Sequence, residues 1–357
     1  MGIEGLEADL LSPSLTSGDG PGAYDRLLVA LRGLRTDAAL LAPLAAAWAG
    51  RRFDGAYGRP LLLLASLRYR ALTDASHPLA PEVLLDGEAP DLEARLREAL
   101  ADPDLGPVLA ARSIQTNEPG RALGWGLPAL ALGLPHRRFA LAELGASAGL
   151  NLVVDLTSIP YKLGAERVTG LDFPSPHLRL GLDAAPIDAL RDEASVRWLR
   201  ACIWPGQPER IDRFEAALAV WRRPWRGASP APTLERHLLG AGETGARLAQ
   251  LEADPAAEFV VAFECVVAPH LAPETHAAYR DDLKAWALAG PRRLWLTLNP
   301  APPGPSGSTG GPMSLMAHVG LEGELLSLEL ARTAYHPAGC VIVPGAIAAL
   351  RAAWGAR

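Results

Sequence analysis

The chain has 357 residues, room for two lobes or for one large domain with an added subdomain. Apolar residues make up 49% and charged residues 21%, a globular balance that excludes a disordered chain. With 34 basic against 40 acidic residues the net charge is −6, which lacks the basic surplus of a nucleic-acid binder. Three widely spaced cysteines, Cys202, Cys265 and Cys340, form no CxxC pair and no disulfide framework, which fits a reducing cytoplasm. The first residues are acidic (Glu4, Glu7, Asp9) and do not read as a signal peptide, and no apolar run approaches a membrane span of about 20 residues. The expectation is a cytoplasmic protein without membrane contact.

In chain order, residues 12–22 read as a flexible lead-in. From Tyr24 to about Arg112 the apolar spacing is helical: Leu27, Leu28, Leu31 and Leu34, then Leu40, Leu41, Leu44 and Trp48, then Leu61–Leu72, then Leu92, Leu96 and Leu100. Breakers such as Gly58-Arg59-Pro60, His77-Pro78 and Asp102-Pro103 separate these runs. Residues 1–112 are therefore expected to form a helical N-terminal lobe, and 113–357 a second domain.

The period changes at Phe139–Leu144, a short apolar run that ends at Gly145 and is followed by a helical stretch from Leu150. His177–Leu182, Phe259–Phe263 and Leu294–Leu298 are further strand candidates, and Leu325–Leu330 with Val341–Val343 supplies a closing pair. Helices are expected at Val196–Ile203, Pro208–Arg223 and Thr275–Ala289. This alternation argues for a mostly parallel sheet covered on both faces. Pro224–Thr233 and Ala301–Pro312 read as linkers, the second as a mobile loop at a position where a lid would sit.

The most informative stretch is Glu143-Leu144-Gly145-Ala146-Ser147-Ala148-Gly149-Leu150-Asn151. An acid ends a strand, and small residues then leave backbone N–H groups approachable at the start of the next element. This resembles the E/D-x-G-x-G-x-G turn of class I S-adenosylmethionine-dependent methyltransferases, with Ser147 in place of the middle glycine. Leu180-Gly181-Leu182-Asp183 resembles their second-strand motif, whose acid accepts hydrogen bonds from the ribose hydroxyls. The longer spacing from Gly149 to Asp183 calls for an insertion, and Val153–Pro174 is the candidate. Phe259–Glu274 resembles their fourth strand and following loop, which directs Glu264 and His270 toward the substrate side.

Further stretches resemble the bacterial family DUF2332: Gln115-Thr116-Asn117-Glu118 with Arg121, the glycine turn itself, Gly181-Leu182-Asp183 with Pro186, and Trp198-Leu199-Arg200-Ala201-Cys202-Ile203-Trp204-Pro205 with Arg210. Ala334-Tyr335-His336-Pro337 is the last of them. The family resemblance implies relatives and no chemistry. Asn117 reads as a helix N-cap ahead of Pro119, and Gln115, Glu118 and Arg121 then lie upstream of the first strand, where class I methyltransferases meet the amino-acid end of the cofactor.

Together these readings predict a class I methyltransferase-like α/β sandwich of Rossmann type, capped by the helical lobe. The cofactor would be S-adenosylmethionine, held by Gln115, Asn117, Glu118 and Arg121, by Glu143, Gly145, Ala146, Ser147, Gly149 and Asn151, and by Asp183. A small molecule would be methylated, with Glu264, His270 and His336 as candidate bases. Gly145-Ala146-Ser147-Ala148-Gly149 also satisfies the G-x-S-x-G nucleophile elbow, which leaves a serine hydrolase using Ser147 and His336 as an alternative. A non-catalytic module binding an adenosyl ligand is a third. His270, Glu274 and His276 are not at metal-ligand spacing, and no metal is expected.

Overall fold

The computed structural model describes residues 22–51, 53, 58–88, 90–136, 138–189, 192–225, 231–301 and 311–356. The expected lead-in before Gly22, residues 226–230 of the first linker and 302–310 of the second lie outside the described residues. The chain divides into two compact units. The first runs to Thr116 and takes in Glu193–Ile211, and the second holds Asn117–Asp192 and Asp212–Arg357.

In the first unit the leucine periodicity becomes helices at Ala23–Gly33, Ala38–Ala47, Gly58–Thr73, Ala80–Leu85, Leu92–Leu100 and Leu105–Ala111. Gly58–Thr73 is apolar around most of its circumference, with Leu62, Leu63, Leu64 and Leu67 all buried, so it forms the centre of the bundle. The helix Glu193–Ala201, read from sequence as part of the sheet domain, packs here instead. Its Trp198 is buried in the same core and donates from Nε1 to the Ser113 carbonyl at 2.9 Å.

The second unit is built on one ten-stranded sheet. Its strands are β1 Phe139–Leu144, β2 Pro160–Leu163, β3 Glu166–Thr169, β4 Leu178–Asp183 and β5 Thr233–Arg236, followed by β6 Phe259–Cys265, β7 Arg293–Pro300, β8 Met313–Leu321, β9 Glu324–Thr333 and β10 Gly339–Ile342. Across the sheet the order is β3-β2-β10-β9-β8-β7-β6-β1-β4-β5. Pairing is parallel from β5 through β4, β1 and β6 to β7, and antiparallel from β7 through β8 and β9 to β10.

The sheet is thus mixed, not mostly parallel. Part of the reason is local: Leu321 pairs with Glu324, and Glu322 and Gly323 between them have φ of 50° and 83°. Positive φ at both central residues makes a two-residue hairpin, which can only join antiparallel neighbours. The expected closing pair is present as β9 against β10. Within Val153–Pro174, the presumed insertion, β2 and β3 form a hairpin that extends the edge beyond β10.

Alternation along the strands gives the parallel half two faces. Ala140, Ala142, Leu144, Leu180, Leu182, Val260, Ala262 and Trp295 share a core with Leu248, Leu251, Tyr279, Leu283 and Trp286 of the helices Thr244–Leu251 and Pro273–Leu288. The opposite face carries Phe139, Leu141, Glu143 and Phe263 and meets the helix Leu123–Leu132. There Gly124 permits close approach, since a Cβ on it would lie 2.5 Å from the Phe263 ring. Among the described residues no helix is long and apolar enough to cross a membrane.

Candidate functional site

From β1 the sheet grows outward both ways, with β4 then β5 on one side and β6 then β7 on the other. Such a reversal opens a crevice beyond the carboxyl ends of the strands, a favoured place for ligands. Glu143, Asp183 and Cys265 all stand at those ends.

The turn after β1 uses its own N–H groups. Gly145 N and Ala146 N donate to the Leu182 carbonyl at 2.8 and 3.2 Å, and Ser147 N to Asp183 Oδ2 at 2.7 Å. Ala148 N donates to Asn117 Oδ1 at 3.3 Å and Gly149 N to the Ala146 carbonyl at 2.7 Å. The expected cradle of free donors is therefore spent inside the protein. Gly145 is required by packing as well as by its φ of +78°, because a Cβ there would lie 2.7 Å from Val267 Cγ2. The helix expected from Leu150 is a seven-residue 3₁₀ element, Leu150–Leu156. It closes where Thr157 Oγ1 donates to the Val154 carbonyl at 2.7 Å, a local bond that competes with helix continuation.

The two acids differ. Asp183 is half-buried and accepts from Ser147 N through Oδ2 and from Ala185 N through Oδ1, at 2.7 and 2.8 Å. Each of its oxygens keeps one further lone pair. Glu143 is buried and accepts from Asn151 Nδ2 at 2.7 Å through Oε1, whereas its Oε2 is buried without a hydrogen-bond partner. Burial, reinforced by the negative charge of Asp183, pushes its carboxyl up to about 8 against the Asn151 amide and the Arg121 charge. Near neutrality it is therefore mostly a neutral acid. Asn151 Oδ1 is a second buried atom without a partner.

Arg121 closes this corner. Its Nε donates to the Tyr335 carbonyl at 3.1 Å, and its positive charge acts on the Cys265 thiol. Burial pushes the Cys265 thiol up to about 12, so it stays protonated. Cysteine spacing gave no reason to place Cys265 here. The signal lies in the strand register, where Glu143 pairs with Phe263 and Cys265 is two residues farther along the same face.

Other predicted residues fall elsewhere. Leu144 pairs with Glu264, so Glu264 points to the face opposite Glu143. There it is buried beside Tyr279 and accepts from Asn299 Nδ2 at 3.0 Å, with burial raising its carboxyl above the ordinary range. His270 is exposed on the short turn Ala268–His270. Gln115 belongs to the first unit. Asn117 is not a helix cap: its Nδ2 donates to Ser147 Oγ at 2.7 Å, and the capping role passes to Glu118, which accepts from Gly120 N at 3.1 Å. The buried Glu118 also pairs with Arg213 Nε at 2.9 Å and has His336 Nδ1 at 3.8 Å. Among the described residues no cluster of three or more His, Cys, Asp or Glu is placed to hold a metal.

The arrangement thus offers buried, unpartnered acceptors and a carboxyl that titrates near neutrality, beside a guanidinium. The unpartnered acceptors suit a ligand that brings hydrogen-bond donors. No curated protein matches the chain. The family model described as "Uncharacterized protein conserved in bacteria (DUF2332)" matches residues 19–340, and the chain belongs to that family.

Proposed function

We propose that the protein is a class I, Rossmann-type methyltransferase that uses S-adenosylmethionine to methylate a small molecule. One observation carries this reading. The acids ending the first two parallel strands, Glu143 and Asp183, are joined through a glycine turn at the point where strand order reverses. Numbered in chain order, the parallel strands β5-β4-β1-β6-β7 follow the order 3-2-1-4-5, that of a doubly wound nucleotide-binding half extended past its switch point.

The side chains fit the cofactor better than the turn does. An ammonium and a sulfonium need acceptors in a low-dielectric setting: Asn151 Oδ1 is a buried acceptor without a partner, and a bound cation would favour the ionised form of Glu143, which makes its unpartnered Oε2 a second. Asp183 retains lone pairs for hydroxyl donors. Bound, S-adenosylmethionine supplies an electrophilic methyl group, and the protein's task is alignment and exclusion of water. Of the three candidate bases, His336 has the best support, because Arg121 holds its neighbour Tyr335 and Glu118 flanks its ring.

The hydrolase reading draws on one feature, the φ of +50° at Ser147, which resembles a strained nucleophile elbow. Against it, Ser147 Oγ is engaged by the Asn117 amide, and His336 stands by Glu118. The test is a thermal melt with S-adenosylmethionine and S-adenosylhomocysteine. At about 100 times the dissociation constant a ligand adds about 2.7 kcal/mol, a rise of about 2–4 °C or somewhat less for a chain this long. Asp183→Ala and Glu143→Gln should each reduce the rise. No rise with either compound at millimolar concentration would defeat the proposal in favour of the hydrolase or of a non-catalytic module. An esterase activity that disappears in Ser147→Ala would select the hydrolase.

A further inference from the structure

The Trp198–Pro205 stretch with Arg210 has no role in the proposed methyl transfer. It lies in the first unit, where it gathers an unusual set of charges. Arg68, on the central helix Gly58–Thr73, is 6% exposed, and its Nε and Nη1 are buried without hydrogen-bond partners. The groups acting on it are Tyr24 and Cys202, and no carboxylate is among them. The Tyr24 hydroxyl is likewise buried without a partner.

Cys202 feels all three arginine charges, of Arg210, Arg112 and Arg68, and its sulfur also takes part in a hydrogen bond with the backbone of Gln115. Arg112 donates through Nη1 to Ser195 Oγ at 3.1 Å, and its guanidinium lies 5.8 Å from the Tyr69 ring centre and 6.0 Å from that of Trp198. Arg210 donates through Nη1 to Gln207 Oε1 at 2.6 Å. Trp204 packs against Tyr24 with ring centres 5.6 Å apart.

Neither neighbour of Arg68 supplies a negative charge at neutral pH, because burial pushes the Cys202 thiol up to about 12 and the Tyr24 hydroxyl well above its ordinary range. Among the described residues neither Arg68 nor Arg112 forms an ion pair with a carboxylate. A guanidinium taken out of water without a counter-charge is costly. The orphaned atoms here are donors, and the charge they carry is positive. Arg112 and Gln115 are half-buried, so the cluster retains contact with solvent.

We propose that Arg68, Arg112, Arg210 and Tyr24, gathered around Cys202, form a binding site for a phosphate dianion, either free or as the head of a phosphate monoester. A phosphate carries about −1.5 to −2 at neutral pH, which matches the two guanidiniums that lack a carboxylate. Its tetrahedral acceptors suit planar arginine donors and a phenol better than a single carboxylate would. The inference is independent of the methyltransferase reading.

Thermal melts of the full chain in phosphate-free buffer test it. Adding inorganic phosphate or glycerol phosphate at constant ionic strength is expected to raise Tm by about 2 °C or more, while chloride does not. A rise with both identifies the free anion as sufficient, and a rise with glycerol phosphate alone identifies the monoester. Arg68→Met should abolish the rise and, without phosphate, melt at or above the wild type, because an unpaired buried charge has been removed. No rise with either compound, an equal rise with chloride, or an undiminished rise in Arg68→Met overturns the proposal. Should Arg68→Met fail to fold, Tyr24→Phe decides, and an undiminished rise there also overturns it.

Discussion

Two buried carboxyls in the second unit, Asp155 and Glu143, are treated in opposite ways. Asp155, in the 3₁₀ element after the glycine turn, accepts from Arg179 Nη1 and Nη2 at 2.5 and 2.7 Å and from Ser175 Oγ at 2.6 Å. Charge, geometry and hydrogen bonds are all met within the protein. Glu143, at the end of β1, has one amide on one oxygen and nothing on the other. Burial is the same for both, so the difference lies in supply of partners. A carboxyl whose partners are complete holds elements together, whereas one left short is held ready for a group the protein does not itself provide.

The largest effect should come from breaking the complete member. Asp155→Ala leaves the Arg179 guanidinium buried without its carboxylate, and urea titration should show a loss of about 3–5 kcal/mol. A loss under about 1 kcal/mol would mean that the pair is no structural tie, and the comparison would collapse.

The next effect tests the incomplete member. The folded Glu143 carboxyl sits at about 8 against an ordinary 4.5, so the native state binds more protons than the unfolded chain between those values. Its contribution is fully present below pH 4.5 and is lost as pH rises to about 8, by up to about 1.4 kcal/mol per pH unit. Glu143→Gln keeps the amide contact and removes the titration. Its stability should therefore gain on the wild type steadily from pH 5 to pH 8. Parallel stability curves for the two proteins would show that Glu143 is as well supplied as Asp155.

Sequence alone exposes some of this contrast. The strands β1, β4, β6 and β7 are legible because strands buried on both faces are short apolar runs, and Glu143 and Asp183 stand out as acids at their ends. The edge strands are not legible. Thr233–Arg236 carries one large apolar residue and Glu166–Thr169 likewise one, so neither produces a pattern. The tie between Asp155 and Arg179 joins residues 24 apart in sequence, with a hairpin folded out between them. Only the position of β4 beside β1 brings them together. The same holds for Cys265, which register places beside Arg121. Sequence also over-reads the glycine turn, because small residues look the same whether they make room for a ligand or for Val267, as Gly145 does.

The smallest expected effect concerns how the β1 end is braced. Ser147 has a φ of +50°, a region that costs a residue with a side chain about 1–2 kcal/mol, and its Oγ accepts the Asn117 amide. Ser147→Ala removes the acceptor, leaves the strain and should lose about 1 kcal/mol. Ser147→Gly removes the same acceptor but relieves the strain, so it should lose less than the alanine variant despite its greater unfolded-state entropy. If glycine proves the worse of the two, the turn is not strained, and the under-supplied end of β1 is as relaxed as the Asp155 tie. If glycine is the milder, backbone strain and the unpartnered Glu143 oxygen occur within one turn of each other. That coincidence is expected where a fold gives up local stability to hold a site.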